Sequence, residues 1–551
     1  MLLALLSSFS PARAQAPAWA WARNITVPPS NTLIPMRITT DASGNSYVLG
    51  QFTGTVSMGS ISLVSAGSND LFVAKLDPAG TYLWAQRLGG TGTEYVGGIA
   101  VDAAGNVLVT GTFANTMALG STTLTASSVS AFASGFVAKY SAGGSWLWAK
   151  RFGSYFSNRT PPNIAVAPNG DVLLTGTFNA TSATGALAFD FGPTALVTAG
   201  AYDIFVARLA GTDGAWRWAV RGGGTDNDEA RGICTDAAGN AVVAGSFSTT
   251  APFGSTTLTA VGGTDVLVAR LDPAGQWQWA AGGGGLANEQ ANAVTVDRSG
   301  NPVLTGNFRS QATFGSFQVG SVQISVDDVL VAKLSSSGQW QWASRAGGSA
   351  YDYGFGVALD AQNNVYVGGT VSIDADFGST VLNAGGLSGG VFVGRLSPTG
   401  AWQWAVAAGP PLSGYITVGF ALDPAGNAFL TDRYQGTATF GPTVLNSGGQ
   451  FQNGGFVAKL GNTALASRAT TAALAFSVAP NPVAQGAALA LHTATAGTFE
   501  LRDALGRPVP AAQPVGAGTR RVVLPAALPP GVYLATLRTS VGTATQRLAL
   551  E

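Results

Sequence analysis

The sequence predicts an all-β chain in which one four-stranded unit is repeated around a ring, with a smaller β-domain after it. Three observations carry the prediction. A Trp-x-Trp-Ala element occurs at Trp19/Trp21, Trp146/Trp148, Trp216/Trp218, Trp277/Trp279, Trp340/Trp342 and Trp402/Trp404, with Tyr82/Trp84 as a variant copy, and these places hold all 13 tryptophans. An Asp-x-x-Gly-Asn turn begins at Asp41, Asp102, Asp236, Asp297, Asp360 (Asn363 replacing Gly) and Asp423, and Ala167-Pro168-Asn169-Gly170-Asp171 fills the gap in that series. A Phe-Val-Ala-Lys-Leu strand starts at Phe72, Phe136, Phe205, Leu267, Leu330, Phe392 and Phe456. The turn-to-turn spacings are 61, 65, 69, 61, 63 and 63 residues, and a fixed period of this kind marks a repeat architecture.

Each unit reads as four strands. In the second they are 98–101, 107–113, 136–140 and 146–150, rich in β-branched and aromatic residues and punctuated by turn chemistry. Between the second and third strands lies a further element, Leu119 to Leu124 here and Phe253-Gly254-Ser255 in the fourth unit. We read it as an extra β-arm. The ends of the array decide between an open solenoid and a closed ring. The chain begins with an isolated Trp-x-Trp-Ala at Trp19 and ends its last unit at Leu460 without one. The first fragment is what the last unit lacks, so a seven-bladed β-propeller closed by the N-terminal strand is expected. That strand is then outermost, and strands of the 98–101 type line the axis.

Composition narrows the function classes. Charged residues are only 10% of the chain, against about 25% in ordinary soluble proteins. The 28 basic and 28 acidic residues cancel, which argues against a nucleic-acid binder with its basic footprint. Hydrophobic residues at 46% argue against disorder. The 75 glycines show no period of three, which excludes collagen. Cys234 is the one cysteine and His492 the one histidine, and His492 lies beyond the repeats. Neither a disulfide, a Cys/His zinc site nor a Ser-His-Asp triad can be built in the repeats, and no cofactor or metal is expected. Cys234 reads as a small buried hydrophobe.

Residues 1–16, MLLALLSSFSPARAQA, combine a short apolar run with Ala14-Gln15-Ala16, the pattern of a signal peptide and its cleavage site, although the usual positive start is missing. No apolar run of about 18 residues follows, so no transmembrane helix is expected. The remaining segments are a propeller over 17–460, an Ala/Thr-rich linker over 461–473 and a C-terminal domain over 474–551. Short alternating strands broken by Pro/Gly turns make that last domain an antiparallel β-sandwich.

Two family resemblances follow. "GIAVDAAGNVLVTGTF" and "DIFVARL…WRWA" resemble the bacterial SBBP β-propeller repeat, over Trp19 to Leu460. That resemblance implies a secreted propeller and no particular activity. Ala479-Pro480-Asn481-Pro482, the run from Phe499 to Val509 (FELRDALGRPV), Leu528 to Leu534 (LPPGVYL) and the tail TATQRLAL are similar to the type A C-terminal sorting domain of the Bacteroidetes type IX secretion system. Ala479 stands where tyrosine is usual, and the tail holds an Arg where Lys is common. The resemblance implies that residues 474–551 engage the type IX machinery, and that the chain is secreted or held at the outer cell surface.

Candidate functional residues come from the repeats. The basic residue in each third strand (Lys75, Lys139, Arg208, Arg270, Lys333, Arg395, Lys459) is expected to pack between sheets, paired with a turn Asp such as Asp102 or Asp236. The Asp-x-x-Gly-Asn turns lack the carboxylate density of a calcium loop. Eight residues before each turn stand Glu94, Asp228, Glu289 and Asp352, with Leu33, Arg159 and Tyr415 in other units and Tyr95, Glu229, Gln290 and Tyr353 as neighbours. The expected ligand-binding residues are Glu94, Tyr95, Asp228, Glu289, Asp352 and Tyr353, an acidic and aromatic rim at one mouth of the axial channel. The expected function is a non-catalytic interaction module for a glycan or a surface protein. A polysaccharide hydrolase or lyase is the alternative, since paired carboxylates can cleave glycosides.

Overall fold

The computed structural model describes residues 17–551 except 128–132, 157–160, 180, 183–184, 187–188, 373, 383–389, 409–417, 450–451, 462–475, 494–495, 504–506 and 540–541. Residues 1–16, expected to be a signal peptide, most of the 461–473 linker, Arg159 and Tyr415 lie outside the described residues. The described elements are all β, in antiparallel sheets. The chain falls into two compact units, Met1–Ala464 and Leu465–Glu551.

In the first unit a single plan recurs. Sheets I to VI begin with the innermost strands Leu33–Thr40, Glu94–Val101, Asn163–Val166, Glu229–Thr235, Gln290–Val296 and Tyr353–Leu359, and sheet VII with Gly419–Leu422. Sheet IV shows the plan in full: Glu229–Thr235, Ala241–Phe253, Thr256–Leu271 and Trp277–Gly285 pair in sequence as an antiparallel meander. Its first turn is built by Asp236, whose Oδ1 accepts from the Ala238 and Asn240 amides at 2.9 Å. Gly239 completes the turn at φ +80°, which glycine adopts without steric cost. Each innermost strand packs beside the next, from I through VII, and VII packs beside I. Sheet VII is assembled from both ends of the unit. Its outer strand is Trp19–Thr26, which pairs antiparallel with Asn453–Leu460, Trp19 opposite Leu460 and Trp21 opposite Lys459. This is the closure expected from the ends of the array.

The two aromatics of Trp-x-Trp-Ala are two residues apart, so plain strand alternation would put them on one face. A bulge between the Arg270–Trp279 and Leu271–Trp277 pairs separates them. Trp277 packs into the core shared with sheet III, and Trp279 into the core shared with sheet V. The Trp277 indole donates back to the Arg221 carbonyl at 3.2 Å, and Trp279 donates forward to the Ser336 carbonyl at 3.0 Å. The third-strand cations act in the same place. Arg270 Nη1 also donates to the Ser336 carbonyl, at 2.7 Å, and Lys139 Nζ pairs with Asp102 at 2.8 Å while reaching Gly211 of the next sheet. All seven cations pair with their turn carboxylates: Lys75–Asp41, Lys139–Asp102, Arg208–Asp171, Arg270–Asp236, Lys333–Asp297, Arg395–Asp360 and Lys459–Asp423. They are structural cations, as expected, and not a ligand ring. The arms extend the preceding sheet: Thr116–Leu119 pairs with Tyr82–Gly90, and Gln311–Phe314 with Trp277–Gly285.

In the second unit, Phe476–Ala479, Ala488–Thr493 and Gly518–Val523 form one sheet. Pro508–Val515, Gly497–Arg502, Gly531–Thr539 and Gly542–Leu550 form another. The two share a core around Leu489, Leu491, Phe499, Leu537 and Leu548. Asn481 is tied to the last strand at both ends of its amide: Nδ2 donates to the Arg547 carbonyl and Oδ1 accepts from the Ala549 amide, each at 2.8 Å. His492 is exposed and bonds Thr519.

Candidate functional site

The innermost strands begin about four residues earlier than the sequence reading drew them, and most carry a bulge. Register shifts fall between Pro35 and Arg37, Val96 and Ile99, Ala230 and Gly232, Ala291 and Ala293, and Gly354 and Gly356. A bulge leaves an extra residue out of the ladder and re-aims its side chain. Here the extra residues include Met36, Arg231, Asn292 and Phe355, and all four line an axial cavity of about 450 Å³. Each stands five residues before its turn. Tyr95, Arg37 and Asn163 join them in the wall.

A second cavity of about 370 Å³ shares Arg231, Asn292 and Phe355 with the first and opens beside sheets IV to VI. Its wall adds Gln290, Asn288, Asn307 and Tyr353. Tyr351 stands two residues before the strand Tyr353–Leu359, Tyr353 opens that strand, and Phe355 is its bulged residue. Their rings form a ladder: Tyr351 and Tyr353 stack at 6.3 Å with 2° between planes, and Tyr353 and Phe355 at 5.8 Å and 23°. The Tyr353 hydroxyl donates to Asp327 at 3.1 Å, Asp327 pairs with Arg309 at 2.9 Å, and the Arg309 guanidinium lies 5.9 Å over the Tyr351 ring. The outer aromatic is thus held by a charged brace, while Tyr351 itself remains 40% exposed.

The expected acidic rim is corrected by the structure. Glu94, Asp228, Glu289 and Asp352 are each 0% exposed. They point between sheets, one residue out of phase with the lumen. Each meets a buried acid at the start of the preceding sheet's third strand: Asp70, Asp203, Asp265 and Asp328. A Cβ on Gly284 would stand 2.6 Å from both Asp265 Oδ1 and Glu289 Oε2, so the glycine makes room for the pair. Asp228, Glu289 and Asp352 cap their own loops. Gly224 N donates to Asp228 Oδ2 at 2.6 Å, Gly285 N to Glu289 Oε2 at 2.6 Å and Gly348 N to Asp352 Oδ2 at 2.7 Å. Burial first, and the facing acid after it, raises the Glu94 carboxyl to about 8. Burial, partly offset by loop hydrogen bonds, raises Asp228 and Glu289 to about 7 and Asp352 to about 6. Asp70 Oδ1, Asp265 Oδ1 and both Glu94 oxygens have no hydrogen-bond partner, which a proton shared within each pair would satisfy.

The two tyrosines fare differently. Tyr95 and Tyr353 do line the cavities. Arg37, Asn163, Asn292 and Phe355 were not singled out from the sequence. The position five before each turn, which reads Met36, Gly97, Pro162, Arg231, Asn292, Phe355 and Val418, could have found Asn292 and Phe355, while Arg37 and Asn163 stand four before their turns. No residue type repeats at the fifth position. Cys234 packs against the core between sheets IV and V, and burial pushes its thiol well up.

No family model matches the chain. An uncharacterised WD repeat-containing protein of Acanthamoeba polyphaga mimivirus is 32% identical over 132 residues, 23% of this chain and 9% of that protein. The match therefore spans under a tenth of that relative's length. Among solved structures, a protein of unknown function from Dyadobacter fermentans aligns over 81% of this chain and 99% of its own, at 10% identity and a TM-score of 0.36. An ulvan lyase bound to a sulfated glucuronate–rhamnose unit aligns over 82% and 91%, at 10% identity and 0.37. The quinohemoprotein alcohol dehydrogenase of Comamonas testosteroni aligns over 82% and 78%, also at 10% and 0.37.

Proposed function

We propose that the first unit is a seven-bladed β-propeller closed by its N-terminal strand, and that it acts as an exported, non-catalytic binding module for a glycan. The observation that carries the glycan is the ladder Tyr351–Tyr353–Phe355, which leads into a cavity walled by amides. Stacked aromatic faces beside fixed amides suit the apolar faces and hydroxyl edges of sugar rings. Both acids that flank this wall are committed to cations: Asp327 to Arg309 and Glu229 to Arg231, each at 2.9 Å. Neither is a free acid–base partner, which favours binding over hydrolysis. The hydrolase or lyase alternative predicts new chain ends released from mixed polysaccharides, and a release assay on the purified protein separates the two.

Residues 1–16 serve in this reading as a signal peptide. Residues 474–551 form a β-sandwich that hands the chain to a type IX secretion machinery for display at the cell surface. The tie between Asn481 and the last strand supports treating the Ala-Pro-Asn-Pro run and the tail as one recognition unit. A chain ending at Leu460 is then retained in the periplasm. Normal arrival of that truncation at the surface would overturn the export reading.

A further inference from the structure

The charge of the axial cavity is opposite to the acidic rim expected from sequence. With the acids turned away between the sheets, the ionised groups that face the two cavities are Arg37, Arg231, Arg309 and Asp327, and Glu229 stands beside Arg231. Arg309 is neutralised by Asp327, and Arg231 is neutralised on one side only, through Nη2 and Glu229. Among the described residues no carboxylate pairs with Arg37, whose Nη1 donates to the Met36 carbonyl at 3.1 Å. The Arg231 Nε is buried and has no hydrogen-bond partner among them. Burial, and then the neighbouring Arg231, lower the Arg37 guanidinium to about 10. Two guanidiniums thus share a cavity whose acids balance only one of them. An uncompensated cation in such a place is costly unless an anion joins it. Guanidinium donors in a fixed fork suit carboxylate or sulfate oxygens.

We propose that the axial cavity takes the anionic group of an acidic saccharide on Arg37 and Arg231, with its sugar rings running outward over Phe355, Tyr353 and Tyr351. The proposal rests on the glycan-binding reading above and gives its ligand a charge. Asn163 and Asn292 line the same cavity as the arginines. Asn163 Nδ2 is held on the Arg231 carbonyl and Asn292 Nδ2 on the Gly354 carbonyl, so their side-chain oxygens and the wall are fixed in advance.

The test is calorimetry on the full chain at constant ionic strength, with four probes: a hexagalacturonate, a sulfated galactan hexamer, cellohexaose and free glucuronate. One of the acidic hexamers should bind at least tenfold more tightly than cellohexaose, and which one does so distinguishes carboxylate from sulfate. Arg37→Gln combined with Arg231→Gln should abolish that preference. Tyr353→Ala should weaken all three hexamers alike. Since Arg231→Gln strands Glu229, Arg37→Gln alone is the safeguard. It removes an unpaired cation, so its melting temperature should rise while at least fivefold of the acidic preference is lost. If the wild-type protein binds acidic and neutral hexamers within twofold of each other, the anion site is refuted and the glycan reading stands. If no hexamer binds but glucuronate does, and the double variant loses it, the glycan reading fails and the anion site stands. If none of the four probes binds, both fail.

Discussion

Two positions on the same innermost strands, three residues apart, behave in opposite ways. Eight residues before each turn, four units carry Glu94, Asp228, Glu289 and Asp352, all buried between sheets. Five before it, the seven units carry seven different residues, and five of these line the axial cavity. In a ring of like units, a side chain that recurs is answering a packing problem common to every interface. A side chain that varies at an equivalent place is free of that problem and available to a ligand. The contrast extends outward to the cation–Asp pairs and tryptophan locks, which recur, and inward to the lumen, which does not.

The comparison can be broken at several places, and the largest effect is expected at closure. Removing residues 17–23 strips sheet VII of its outer strand along with Trp19 and Trp21. The exposed strand edge should drive aggregation, read by size-exclusion chromatography. Trp21→Ala alone should cost about 3–5 kcal/mol in denaturant unfolding, and an unchanged midpoint would mean the ring does not depend on its latch. Next comes a buried lock. Lys139→Ala leaves Asp102 without its cation and should cost about 3–5 kcal/mol, whereas Lys139→Met with Asp102→Asn, which removes both charges and keeps the Oδ1 acceptor of the turn, should restore most of it. Equal losses in the two variants would show the pair to be worth its full Coulomb energy.

The buried acids should make stability fall as pH rises. Their folded values lie above those of the unfolded chain, so their contribution is intact below about pH 4. It is lost as pH climbs through about 6 for Asp352, 7 for Asp228 and Glu289, and 8 for Glu94. Asp41, Asp102, Asp171 and Asp297 are held low by their hydrogen bonds and cations and act in the other direction, with losses confined to acid pH below about 4. A melting temperature higher at pH 5.5 than at pH 8.5 is therefore expected. Glu94→Gln should flatten that slope and stabilise the protein at pH 8.5, on the order of a few kcal/mol. A flat profile in the native protein would mean that these pairs are hydrated. The smallest effect on stability belongs to the lumen side. Tyr351→Ala should shift folding by no more than about 0.5 kcal/mol and yet weaken saccharide binding about three- to tenfold, as expected for one lost stacking contact.

Much of the ring was legible from sequence because each interface makes the same demands: aromatics that reach both ways, a cation for the turn carboxylate, and glycine at positive φ in the turn. Each demand leaves a residue type at a fixed spacing. The bulges leave no such mark. Extra residues in five of the innermost strands shift the alternation, so counting to the eighth residue lands on the face between sheets, while Tyr95 and Tyr353 one step on face the lumen. The recurrence of acids in four units was itself a sign of a structural role, and the variety at the fifth position marks the cavity wall. Arg37 escaped notice because its neighbour Met36 takes the bulge in sheet I. In the second unit the strand pattern was readable, but the tie from Asn481 to the last strand depends on side-chain geometry that no spacing reports.

Sheet VII has a consequence that lies in time rather than space. Its outer strand is the first part of the repeat region to be made, and its partner the last, so Val27 and Gln452, which share a hydrogen bond, are 425 residues apart in the chain. During synthesis, Trp19–Thr26 has no ladder to join until Asn453–Leu460 emerges. Six sheets can form from neighbours close in sequence, and only then does the last contact, of very long range, become cheap to make. The sole turn that would join third strand to fourth in that sheet is missing, and with it the carbonyl that Trp404 would otherwise reach. Trp404 rests instead edge-on against Tyr366, 5.8 Å away. The seam between sheets VI and VII is therefore where the ring should open first under load and heal last after synthesis.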